Sequence, residues 1–160
     1  MKKLMALLSL FAAFALAAPA IAQSQSSSDT NMQILRDKIK ADKKALVAAN
    51  MDLTDAEAKV FWPLYDSYQK ELEALNKRTA NVIVEYANAW NEKKLTDALA
   101  SKLIKETIAI EQAEAAMRKR EAAKLLKALP PRKAARYLQI ESKIRAIVKY
   151  ELASQIPLVE

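Results

Sequence analysis

The chain has 160 residues and contains no glycine, no cysteine and no histidine. Each absence closes a route to function. Rossmann turns, P-loops and nucleophile elbows use glycine for positive φ or for close backbone approach. Histidine is the side chain that most often moves protons near neutral pH, and it is the commonest metal ligand. Without cysteine there is no thiol chemistry, no disulfide and no structural zinc or iron–sulfur site. Aromatic residues are only 6% of the chain, while hydrophobic residues reach 52% and charged ones 28%. Alanine, leucine, lysine and glutamate dominate, which is the composition of helices. The expectation is an all-α protein that is not an enzyme and carries no cofactor.

The first residues read as an address. Met1-Lys2-Lys3 is a basic start, Leu4 to Leu16 is apolar except for Ser9, and Pro19 precedes Ala20-Ile21-Ala22. This is the pattern of a signal peptide spanning 1–22, cleaved after Ala22, and it predicts a periplasmic protein. The run approaches the length of a membrane span, but Pro19 and the small-residue end favour cleavage. Residues 23–31 are polar and read as a disordered leader. Residues 32–160 read as a single helical domain.

Four helices are predicted there, two of them long, arranged as an extended antiparallel hairpin or cradle-like bundle. The first runs from about Met32 to Ala49, with Leu35, Ile39 and Leu46 on one face. The second opens at Thr54 with Glu57 three residues on, a capping box. It carries Phe61, Tyr65, Tyr68, Leu72, Leu75, Thr79, Val82, Tyr86 and Ala89 at alternating steps of four and three, a heptad seam that requires a partner helix or a second subunit. Pro63 removes one N–H inside it and predicts a bend near Lys59 to Trp62. The third helix follows Thr96-Asp97 and extends to about Leu129. There Leu99, Leu103, Ile104, Ile110, Ala115, Met117, Ala122, Leu125, Leu126 and Leu129 fill one broad arc. Pro130-Pro131 stops it, and Pro131 fits the first position of a fourth helix that ends before Pro157.

The hexapeptide pattern LTDAxA occurs twice, at Leu53-Thr54 and at Leu95-Thr96, each time where a long helix starts. Threonine as a cap and aspartate in the first turn account for each copy alone. The pair, together with the leader, the length and the helix layout, resembles the exported helical proteins of the Spy/CpxP type, which carry a repeated LTxxQ motif. In this chain the glutamine position holds Glu57 in one copy and Leu99 in the other. The resemblance implies an all-helical periplasmic protein, capable of forming a homodimer, that acts as an ATP-independent chaperone or as a modulator of envelope-stress sensing. The metal-binding activity of some relatives depends on histidine, so the resemblance does not extend to it.

Glu111, Glu114, Arg118 and Glu121 project near the apolar arc of the third helix. A carboxylate metal site would need a histidine that the chain lacks, so these residues read as an ion-pair row. Glu141 falls inside the apolar arc of the fourth helix, where a carboxylate needs a partner. Arg118 is the expected one, as a bidentate contact fixing register. Trp62, Tyr65, Tyr68, Tyr86 and Trp90 form an aromatic band read as core. The basic runs Lys38, Lys40, Lys43 and Lys44, then Arg118, Lys119 and Arg120, then Arg132 and Lys133, are solvated faces and the candidate partner-binding surface.

The expected partners are unfolded or envelope proteins, with an anionic membrane surface as the alternative. Nucleic acid is not expected, because the leader sends the chain away from it. A helix-turn-helix regulator would need short helices and a tight turn.

Overall fold

The computed structural model describes residues 41–159, and these hold four helices and no strand. Helix α1 covers residues 41–51, α2 Asp55–Asn91, α3 Asp97–Ala128 and α4 Pro131–Gln155. The leader, residues 32–40 and the candidate residues Lys38 and Lys40 lie outside the described residues. No helix among them is long and apolar enough to cross a membrane.

Within the span expected as one helical domain, the chain packs as two compact units. One is Leu53–Leu138, which takes α2, α3 and the first two turns of α4. The other takes α1 and the chain from Gln139 onward.

In the first unit each helix start has a local cause. The Thr54 backbone N–H donates to Glu57 Oε2 at 2.8 Å, and Glu57 N–H donates to Thr54 Oγ1 at 3.3 Å, closing the capping box. Thr96 caps α3 by accepting from the Leu99 N–H at 3.2 Å. Only half of a box forms there, since Leu99 has no side-chain acceptor to return. Pro131 is the first residue of α4, where its missing N–H costs no hydrogen bond. Helix α2 is continuous through Pro63, which occupies an exposed position.

Helices α2 and α3 lie side by side and antiparallel. The pairs Glu71–Arg120, Arg78–Glu106 and Glu85–Lys102 bridge them, and the α3 number falls as the α2 number rises. These exposed pairs fix register more than they add stability. Phe61, Tyr65, Tyr68 and Leu72 of α2 are buried, as are Leu103, Ile110, Met117, Leu125 and Leu129 from the α3 side. Ala134 and Tyr137 from the first turns of α4 complete the Phe61 end. Phe61 meets Tyr137 edge-on at 5.0 Å, and Tyr65 and Tyr68 approach the same ring at 6.1 and 6.3 Å. Edge-on pairs of this kind add to simple area burial.

The heptad seam is buried unevenly. Its first half, Phe61 to Leu72, is fully covered, whereas Leu75, Thr79, Val82 and Tyr86 are half-buried and only Ala89 is buried again. Within this unit the aromatic ring of Tyr137 covers the Phe61–Tyr68 end alone. Farther along, α2 has one packed neighbour in the unit, and two helices leave each other's flanks open. Leu75, Val82 and Tyr86, expected to be largely buried against the other helices or against a second subunit, are half-buried within the single chain.

In the second unit, Val47 and Met51 of α1 and Glu141 of α4 are buried. Helix α1 extends past the expected stop at Ala49 to residue 51. Asn50 sits inside it, its side-chain amide donating to the Leu46 carbonyl at 2.8 Å.

Candidate functional site

Much of the anticipated basic surface is occupied by intramolecular contacts. Lys133 donates to Glu57 Oε2 at 2.6 Å, which ties the first turn of α4 to the capping box of α2. That hydrogen bond, reinforced by the Thr54 backbone, holds the Glu57 carboxyl below the usual carboxylate range. Arg120 takes Glu71 at 2.8 Å. Lys43 is half-buried and its Nζ contacts Glu141 Oε2 at 2.9 Å. Arg118, Lys119 and Arg132 are exposed, and Lys44 is half-buried.

Glu141, for which Arg118 was the expected partner, meets Lys43. Arg118 sits at an exposed position of α3, while Glu141 is 1% exposed. Helical periodicity identifies Glu141 as inward-facing but carries no information on which distant cation meets it. Leu53, Thr54, Glu57, Leu95 and Thr96 act as helix entries, by the hydrogen bonds given above for the two threonines.

The carboxylates of the α3 row differ in burial. Glu111 is exposed and Glu114 half-buried, whereas Glu121 is 2% exposed. The cation beside Glu121 is Lys124, at 3.7 Å, and the Oε1 atom has no hydrogen-bond partner among the described residues. Burial pushes the Glu121 carboxyl above its ordinary range. The nearby Glu71 acts in the same direction and Lys124 opposes it. No group of three or more acidic, histidine or cysteine residues that could hold a metal lies among the described residues.

The feature that periodicity missed is the split of the α3 arc. Leu103, Ile110, Met117 and Leu125 face the core, but Ile104 is 64% exposed, Ile108 47% and Leu126 56%. At 100° per residue Ile104, Ile108, Ala115 and Leu126 fall within about 40° of one another, on a different side from the buried set. Helix α3 thus has two apolar sides, one packed and one open. Ala98, Ser101, Lys102, Lys105, Glu106 and Ala109 line a shallow depression on a neighbouring side of α3. Lys105 is exposed and has no ion-pair partner among the described residues. A surface of isoleucine, small side chains and lysine stems can cover apolar segments of another chain and attract acidic ones. The sequence did hold the signal, in the angular gap between Leu103, Ile110 and Met117 and the Ile104–Ala115–Leu126 line.

No protein-family model, curated protein or solved structure matches the chain.

Proposed function

We propose that this chain is a non-catalytic periplasmic protein that binds unfolded or envelope proteins, acting as an ATP-independent chaperone or as a modulator of envelope stress. One observation carries the reading: the open apolar side of α3 at Ile104 and Ile108, with exposed Lys105 three residues before Ile108 on the helix surface. An extended client needs no deep pocket. It needs apolar contact at low specificity with charge to hold acidic stretches close, and this helix face offers both. The basic balance of the chain, a formal net charge of +7 that becomes +5 when Lys2 and Lys3 leave with the signal peptide, supports the same partner class. The signal-peptide pattern ending at Ala22 supports export, and mass spectrometry of the envelope fraction should find Gln23 at the N-terminus.

The test is suppression of aggregation of denatured clients without ATP, at near-stoichiometric ratio. The chain should slow light scattering, and Ile104→Asp with Ile108→Asp should abolish the effect while leaving the melting temperature nearly unchanged. Both sites are exposed, so the paired substitution removes surface rather than core. No protection across several unrelated clients, or full protection by the double variant, overturns the reading.

A further inference from the structure

We propose that the turn between α3 and α4 is a docking surface for anionic lipid headgroups, its Leu126 on the same side of α3 as Ile104 and Ile108 but about 27 Å farther along the helix. From Arg118 to Arg136 the sequence has eight cationic residues and one carboxylate, Glu121. That carboxylate is buried, so it contributes nothing to the outer surface. Glu57 and Glu71 engage two of the cations from α2. Lys119, Lys127, Arg132 and Arg136 are exposed and have no ion-pair partner among the described residues. This is a strong segregation of one sign at one end of the Leu53–Leu138 unit.

Helix stability does not explain it. The start of a helix favours acidic residues, because its free N–H groups leave positive charge there. The first turn of α4 instead has no acidic residue and carries Arg132 and Lys133. Lys127 is well placed for the end of α3, but the cations just beyond it work against the next helix. An external anion would relieve that repulsion.

The choice among anions rests on Leu126. It is 56% exposed and immediately precedes Lys127. It also lies seven residues after Lys119, on the same side of α3. Lysines around an exposed leucine match the interface of an anionic bilayer, where phosphates meet the cations and the apolar side chain enters the acyl boundary. A nucleic-acid strand would be expected to find aromatic stacking partners. None occurs between Arg118 and Arg136.

The experiment uses the full chain, so that the leader is constant, and vesicles of phosphatidylcholine with or without phosphatidylglycerol. Variant one is Lys119→Gln, Lys127→Gln, Arg132→Gln and Arg136→Gln. Variant two removes equal charge from other exposed sites, by Lys77→Gln, Lys93→Gln, Lys105→Gln and Lys143→Gln. Glutamine is a good helix former. Should the first quadruple variant still melt early, its two halves, Lys119/Lys127 and Arg132/Arg136, are measured separately. The expected result is salt-sensitive binding to the anionic vesicles, weakened at least about tenfold in variant one and little changed in variant two. Leu126→Ser should weaken vesicle binding and leave binding of soluble polyphosphate as it was. Equal losses in the two charge variants would reduce the effect to net charge and overturn the proposal. Insensitivity of vesicle binding to Leu126→Ser, with polyphosphate competing fully, would reassign the surface to a soluble polyanion and overturn it also. Client protection by variant one should persist; its loss with vesicle binding intact would make this a protein-binding face. The Ile104/Ile108 variant is scored in the same vesicle assay and should bind normally, so the two readings fail independently.

Discussion

Lys43 and Glu141 close an ion pair at 2.9 Å across 98 residues of sequence, on a carboxylate that is buried. The pair joins α1 to the middle of α4, so it links two helices whose order in the chain says nothing of their contact. Removing one partner of a buried pair takes away part of what compensates the charge left behind, and this is where the loss becomes large. Lys43→Met and Glu141→Ala should each lower stability by about 3 kcal/mol. Glu141→Gln should lose less, because the amide keeps a hydrogen-bond acceptor for the ammonium. Denaturant melts of the three variants and of the double variant Lys43→Met/Glu141→Ala check this. A double variant no worse than either single one confirms direct coupling.

Glu121 predicts an unusual pH dependence. Its carboxyl is raised above the ordinary range chiefly by burial, with Glu71 adding to the shift and Lys124 opposing it. The unfolded chain releases this proton near about pH 4.3, and the native state holds it to higher pH. The native state therefore binds more protons in that window, and stability falls as pH rises through the raised value. Glu121→Gln mimics the protonated form. It should melt higher than the parent at neutral pH, with the gain shrinking to nothing below the unfolded value. Melting curves from acidic to neutral pH test this, and a destabilised Glu121→Gln at neutral pH would show that the charged form is the stable one.

The seam of α2 should show a gradient of energetic weight. Leu72 is buried between α2 and α3, whereas Val82 on the same seam is half-buried. Leu72→Ala should cost about 2–5 kcal/mol, the range for buried leucines. Val82→Ala removes less volume from a more open site and should cost about 1 kcal/mol or less. If Val82→Ala proves as costly as Leu72→Ala and its melting temperature varies with protein concentration, a second copy covers that stretch in solution.

What the sequence revealed was what neighbouring residues decide among themselves. The capping box of Thr54 and Glu57 spans three positions, and Pro131 starts α4 for a reason internal to proline. The seam from Phe61 to Leu72 is legible because its period matches one helix lying along another. Exposure of Ile104 and Leu126 was not legible in the same way. A 100° projection places apolar residues in an arc, but how much of that arc is covered depends on the width of the neighbouring surface. The partner of Glu141 lay beyond any local rule, since burial of the carboxylate demands a cation without selecting one. The basic runs were overcounted as surface for a related reason: Lys43, Arg120 and Lys133 each meet a glutamate on a different helix.

The end of α2 offers the last prediction, and it follows from the missing glycine. Lys93 N–H donates to the Trp90 carbonyl at 3.1 Å and Lys94 N–H to the Ala89 carbonyl at 2.8 Å. This is the Schellman arrangement, which closes a helix through one residue in the left-handed region. Lys93 occupies that position with φ of 55°. Lysine has a Cβ that crowds the following carbonyl in this conformation, at a cost of roughly 1–2 kcal/mol. Glycine lacks the clash, though it gains freedom in the unfolded chain that returns part of the benefit. Lys93→Gly should therefore stabilise the protein by about 0.5–1 kcal/mol, while Lys93→Val should destabilise it because a branched Cβ tolerates positive φ poorly. Lys93 is exposed and joins none of the ion pairs among the described residues, so removing its charge leaves no partner stranded. Thermal or urea melts of the two variants decide the matter. Equal melting of Lys93→Gly and Lys93→Val would mean that the residue leaves the left-handed region in solution.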